Sequence, residues 1–187
     1  MRAFIAVDLA PEIKTVLSDL LRKLKRIAPP AIHWAREESM HVTLKFLGEI
    51  DENQAAGISR VIATIAGETP AFSLTVRGAG TFPPSPRPPR VLWVGLEECP
   101  PLLALQANLE AALEARGFPR EKRPFHPHLT LGRIKAPGGL GAVLEAVRKN
   151  ETSLWGEMTA GELVLFRSLL RPSGAEYTPL EKGIFRP

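Results

Sequence analysis

The chain has 187 residues, one cysteine and a formal net charge of +4 at pH 7. That length buries a real core without staples, and a single cysteine, Cys99, excludes both an internal disulfide and a four-cysteine metal site. No stretch reaches the roughly 20 apolar residues of a membrane span, and the start, Met1-Arg-Ala-Phe-Ile-Ala-Val-Asp8, is too short an apolar run for a signal peptide. The chain is therefore expected to be cytoplasmic, with no membrane association. Its mild basic excess fits a polyanionic partner without specifying one.

In chain order, the alternation from Phe4 to Leu9 predicts a strand. Pro11 opens a helical pattern with apolar residues at Ile13, Val16, Leu17, Leu20, Leu21, Leu24 and Ile27. Lys14, Lys23, Lys25 and Arg26 hold its remaining surface, so the stripe is core, and Pro29-Pro30 ends it. His41 to Leu47 reads as a β-branched and aromatic strand closed by Gly48. Asp51 is placed to cap a helix carrying Ile58, Val61, Ile62 and Ile65, followed by a strand from Phe72 to Val76. The Pro-rich run 82–90 is a stiff connector.

The pattern then recurs. Val91 to Leu96 is a strand, and Leu102, Leu105, Leu109 and Leu113 mark a helix. His128 to Leu131 is a strand, Val143, Leu144 and Val147 mark a short helix, and Met158 to Phe166 closes the unit. Both halves, about 1–80 and 90–170, thus read β-α-β-α-β at a nearly constant offset. Two copies are too few to stack as a solenoid, so the expectation is one domain, 1–187, built from a duplicated half-domain. Two related half-sheets would then place equivalent strands across a shared cleft.

Two of the four histidines head the repeated tetrads His41-Val-Thr-Leu and His128-Leu-Thr-Leu. On a strand His41 shares a face with Thr43, and His128 with Thr130, leaving the alternate residues to the core. Brought together about a pseudo-twofold axis, two imidazoles and two hydroxyls line one pocket. Histidine's ordinary pKa lets one ring take a proton while the other gives one. Threonine hydroxyls can donate to phosphate oxygens. The pattern is therefore a symmetric device for in-line displacement at phosphorus.

The extended strings His41-Val-Thr-Leu-Lys-Phe-Leu-Gly48 and Arg123-Pro-Phe-His-Pro-His-Leu-Thr-Leu-Gly-Arg133 resemble the two-histidine phosphoesterase superfamily. Within it they are most similar to the RNA 2′,3′-cyclic phosphodiesterases, also called 2′-5′ RNA ligases. The opening Arg2 to Leu9 and the closing Tyr177-Thr-Pro-Leu180 extend the resemblance over nearly the whole chain. It implies an α+β, bilobed, pseudo-twofold fold with two mainly antiparallel sheets facing a central cleft. It further implies opening of a terminal 2′,3′-cyclic phosphate to a 2′-phosphate with no metal or nucleotide cofactor. The reverse reaction, ATP-independent 2′-5′ joining, is implied as well. The implied partners are RNA ends or nucleotides bearing a 2′,3′-cyclic phosphate, tRNA halves among them, and the chain is expected to act as a monomer. By the family pattern His41 acts on the leaving 3′-oxygen and His128 on the attacking water, although a near-symmetric site does not itself reveal this.

Phe46 and Arg133 match positions that face the nucleotide in that family, for base stacking and phosphate contact. Strict alternation, however, puts Phe46 opposite His41 and Arg133 opposite His128, so Phe46 reads equally as a core aromatic. Gly48 and Gly132 are the places for a redirecting bend or bulge. His126, two before His128, is expected to order its loop or touch RNA at the cleft rim. A metal pair with His128 lacks any matching ligand cluster. His33, with no counterpart in the repeat, is expected to be a surface or structural residue. Arg116, Arg120, Lys122 and Arg123 form either a guide for the RNA backbone or a solvated loop. Three readings remain at this stage: the enzyme above, a binding module for RNA ends without turnover, and a phosphodiesterase for free cyclic nucleotides, 2′-5′ oligonucleotides or a cyclic ADP-ribose phosphate.

Overall fold

A computed structural model describes residues 1–84, 87–136, 138–171 and 174–187, so Ser85 and Pro86 of the Pro-rich connector lie outside the described residues. Nine strands and four α-helices are described: β1 (Arg2–Asp8), α1 (Pro11–Ile27), β2 (Ile32–Trp34), β3 (His41–Glu49), α2 (Glu52–Glu68), β4 (Phe72–Phe82), β5 (Val91–Leu96), α3 (Pro100–Glu114), β6 (His128–Ile134), α4 (Gly141–Lys149), β7 (Leu154–Ala160), β8 (Glu162–Arg171) and β9 (Gly174–Ile184). They form two sheets, ordered β3-β1-β8-β9 and β2-β6-β5-β4-β7, in which every strand pairing is antiparallel.

Local chemistry explains the helices. Pro11 starts α1, where its missing N–H costs nothing. Asp51 caps α2 in a reciprocal box: its side chain accepts from the Gln54 N–H, and Gln54 accepts from the Asp51 N–H. The stripe of α1 buries Ile13, Leu17, Leu20, Leu21 and Leu24, whereas Val16 and Ile27 stay on the exposed side. Helices α1 and α4 pack on strands of the β2–β7 sheet, and α2 and α3 on those of the β3–β9 sheet. No helix among the described residues is long and apolar enough to cross a membrane.

The sheets do not coincide with the two halves of the sequence. β1 pairs with β3 as β5 pairs with β6, but β4 adds to β5 and β8 adds to β1. The third strand of each unit thus joins the sheet of the other. The run expected as a single strand from Met158 to Phe166 is two strands in different sheets, parted at Gly161. β4 also runs on past Val76 to Phe82, while β2 and β9 carry no clear sequence signal. β3 and β6 approach within 8 Å between Cα atoms, which brings the two His-x-Thr strands together.

Candidate active site

His41 and His128 are the first residues of β3 and β6. Nδ1 of His41 lies 2.8 Å from the carbonyl oxygen of Ser39, and Nδ1 of His128 lies 2.8 Å from that of His126. A carbonyl only accepts, so Nδ1 carries the hydrogen in both rings and Nε2 keeps its lone pair. The same contact, to the residue two before, is made twice. Ser39 ends a one-turn 3-10 helix, Glu37–Ser39, which sets its carbonyl toward His41. Thr43 and Thr130 share the histidines' faces, while Val42, Leu44, Leu129 and Leu131 are buried.

Past the tetrads, both strands break step in the same way. On β3, Thr43 pairs with Ala6 and Lys45 with Ile5, so Leu44 is left over. On β6, Thr130 pairs with Trp93 and Gly132 with Leu92, so Leu131 is left over. The fourth residue of each tetrad is therefore a β-bulge, and its successor is buried too, Lys45 in one strand and Gly132 in the other. A bulge exchanges the faces of all that follows. Phe46 and Arg133, which strict alternation assigns to the far faces, are thus returned to the faces of His41 and His128. Phe46 is 66% exposed, which excludes the core reading. Gly132 sits within its bulge, where a Cβ would lie 2.9 Å from Ile32 and 3.1 Å from Trp34. Gly48, at φ +75°, lies beyond Phe46 and has no part in redirecting it.

Each histidine rests on aromatic rings. His41 stacks on Phe4 at 4.5 Å between centroids and meets the edge of Tyr177 at 5.1 Å, with Phe166 at 5.9 Å. Burial pushes its pKa down to about 4. The Ser39 carbonyl and Asp8 oppose this and Lys14 adds to it; Asp8 and Lys14 are themselves paired at 2.8 Å. His128 meets Phe82 edge-on at 5.2 Å, and Phe82 stacks on Trp93 at 5.2 Å. Burial lowers its pKa as well, helped by Arg133 and His126 and opposed by the His126 carbonyl. Burial raises Tyr177 above the ordinary phenol value, against the charges of Arg133 and Arg2. The charge of Arg133 thus reaches His128 in its own sheet and Tyr177 in the other, which places it where the sheets meet. Trp93 lies against Gly80, where a Cβ would be 2.3 Å from its ring, and beside Gly95.

A family model for the 2′-5′ RNA ligase superfamily matches residues 14–170. The chain belongs to the 2′-5′ RNA ligase superfamily. It is 36% identical to an RNA 2′,3′-cyclic phosphodiesterase of Methanothermobacter thermautotrophicus, covering 100% of this chain and 98% of that one. It is 35% identical to a protein of the same name from Thermotoga maritima, covering 100% and 99%. Among solved structures, a Thermus thermophilus protein matches with TM-score 0.83 at 31% identity, over 100% of this chain and 98% of that one. LigT of Escherichia coli, crystallised with 3′-AMP, matches with TM-score 0.78 at 28% identity, over 98% and 97%.

Around this superfamily core the structure sorts the remaining candidates. His126 is exposed, and its backbone carbonyl, not its side chain, meets Nδ1 of His128. His33 is half-buried on β2 and pairs directly with Arg133 in the strand register. In the basic loop, Arg120 pairs with Glu114 at 2.7 Å and Arg123 with Glu121 at 3.4 Å, so two of its four cations are already partnered by local acids. Among the described residues, no three His, Cys, Asp or Glu side chains gather in a way that would hold a metal. Phe4, Phe82, Trp93 and Phe166 were not legible as site residues, because only the strand pairing shows which rings meet the histidines. Tyr177 had one signal, its place in the closing motif.

Proposed function

We propose that this chain hydrolyses the terminal 2′,3′-cyclic phosphate of RNA to a 2′-phosphate by general acid–base catalysis through His41 and His128. The observation that carries this is the doubled Nδ1-to-carbonyl contact, which leaves Nε2 of each ring as the nitrogen for proton transfer. One Nε2 takes a proton from water as its oxygen bonds to phosphorus. The protonated Nε2 of the other ring gives its proton to the 3′-oxygen as the P–O3′ bond breaks. In reverse the two rings exchange roles, and a 5′-hydroxyl in place of water forms a 2′-5′ linkage without ATP.

Thr43 and Thr130 donate to the non-bridging oxygens, and the Arg133 guanidinium carries the phosphate charge. Phe46, open to the cleft, stacks the terminal base. Every proton and charge in this scheme is handled by a named side chain, so it calls for no metal or nucleotide cofactor. The activity named for the Methanothermobacter and Thermotoga relatives and the 3′-AMP complex of LigT support the substrate class. RNA ends, tRNA halves among them, are the proposed partners of a monomeric cytoplasmic enzyme.

His41→Ala and His128→Ala are each expected to lower the rate on a cyclic-phosphate RNA about 10²–10⁴-fold, the yield of a positioned acid or base. Binding of the 2′-phosphate product should persist. Full turnover by the double variant would leave only a binding role for the pair.

A further inference from the structure

The two halves of the cleft match step for step in strand register, but they differ in what stands beside the threonines. Thr43 pairs with Ala6 as Thr130 pairs with Trp93, and His41 pairs with Asp8 as His128 pairs with Gly95. Ala6 is fully buried, whereas Trp93 is a half-buried indole. Directly paired residues share a face, so Trp93 lies on the cleft face next to the hydroxyl of Thr130.

Glycines make room for it. Trp93 pairs directly with Gly80 on β4, where a Cβ would lie 2.3 Å from its ring, and a Cβ on Gly95 would lie 3.1 Å from it. The indole therefore lies across both glycines instead of standing up from the sheet. Its Nε1 is buried and, among the described residues, has no hydrogen-bond partner. An unpaired buried donor costs free energy that a phenyl ring would not incur. With its polar edge hidden, the half-buried indole offers the cleft only ring carbon. Phe82 stacks on Trp93 at 5.2 Å, meets His128 edge-on at 5.2 Å, and is itself half-buried. A two-ring aromatic surface thus stands against His128.

In-line displacement says what reaches that surface. Phe46 holds the terminal base on the β3 side, so the P–O3′ bond that breaks points toward His41. The entering oxygen arrives on the opposite side of phosphorus, at His128. Water needs no aromatic surface there, but a nucleoside bearing a 5′-hydroxyl does.

We propose that Phe82 and Trp93 form the base platform of an acceptor subsite, which seats the nucleoside whose 5′-hydroxyl attacks in 2′-5′ joining. Nε2 of His128 takes the 5′-hydroxyl proton as the O5′–P bond forms. Nε2 of His41 gives its proton to O3′ as the P–O3′ bond breaks. The same platform holds the departing nucleoside when a 2′-5′ linkage is cleaved back to a cyclic phosphate. This rests on the reading of the cleft as a cyclic phosphodiesterase.

The cleavage direction tests it with three substrates: a 2′-5′-linked dinucleotide, the same compound with an abasic ribose on the 5′-linked side, and a short RNA ending in a 2′,3′-cyclic phosphate. Wild type should cleave the first with about tenfold higher kcat/KM than the second, as one base–aromatic stack allows. Phe82→Leu should erase that preference, and Phe82→Trp should keep it. Loss of a mere support for His128 would slow both dinucleotides alike, so their ratio separates the two roles. Equal kcat/KM on the two dinucleotides in wild type would overturn the platform, as would a preference that survives Phe82→Leu. So would 2′-5′ linkages left intact by an enzyme that opens the cyclic phosphate. Wild type that leaves the cyclic-phosphate RNA unopened would instead overturn the cyclic phosphodiesterase reading itself.

Discussion

At the scale of single residues, the cleft sets its histidines apart from histidines in water. Both pKa values are depressed by burial, that of His41 to about 4 from 6.5. The reaction needs one ring protonated and the other neutral. In the free enzyme that form peaks between the two ionisations, on the acid side of 6.5. A bound phosphodiester anion then favours imidazolium and moves the optimum up. Since kcat/KM reports the free enzyme and kcat the complex, kcat/KM is expected to peak below pH 6.5 and kcat at a higher pH. Paired pH profiles check this, and a kcat/KM maximum at or above pH 7 would contradict it. Phe46 makes a second residue-scale prediction. It is 66% exposed and 6.1 Å from Phe4, so it contributes little to the core. Phe46→Ala should leave stability within about 0.5 kcal/mol. It should also raise KM by the loss of about 1–3 kcal/mol of stacking. Thermal denaturation and steady-state kinetics on one preparation separate the two effects.

At the scale of elements, the bulges decide what the site contains. The tetrads were legible because a period of two needs nothing beyond the strand itself, and His41, Thr43, His128 and Thr130 fall where that period puts them. Phe46 and Arg133 were not placed, because a bulge is fixed by the partner strand and by what lies behind it. Behind the first bulge is a buried ion pair. Lys45 Nζ donates to Glu110 Oε2 at 2.7 Å and to the Pro119 carbonyl at 2.6 Å, and Glu110 also accepts from the Glu121 N–H at 3.2 Å. The two side chains are 6% and 8% exposed. This knot holds β3 to α3 and to the loop that leads into β6. Removing one partner strands a buried charge, so Lys45→Met is expected to cost about 3–5 kcal/mol. Lys45→Met with Glu110→Leu should recover most of that loss, because an apolar pair fills the same space. Urea unfolding of wild type and the two variants gives the answer. A mild effect of the single change would show that the pair is not isolated from solvent.

At the scale of the whole molecule, the duplication visible in the sequence is built with an exchange of strands. The repeat of β-α-β-α-β was legible from periodicity and from the recurrence of the tetrads. The exchange was not, because nothing in Phe72–Phe82 or Glu162–Arg171 states which sheet receives it. The single-strand expectation for Met158–Phe166 failed for the same reason: apolar residues stand on both sides of Gly161, yet the chain changes sheets there. The exchange ties each half to the other, with β4 under His128 through Phe82 and β8 under His41 through Phe166. Each imidazole is thus seated partly by a strand from the opposite half.

The central claim is that this paired cleft opens 2′,3′-cyclic phosphates on RNA with its own side chains. Its most direct test is to incubate the purified protein, in excess EDTA, with a short RNA ending in a 2′,3′-cyclic phosphate and to identify the product. The account expects a terminal 2′-phosphate, formed at full rate in the chelator. A 3′-phosphate product, or activity that returns only on added metal, would contradict it.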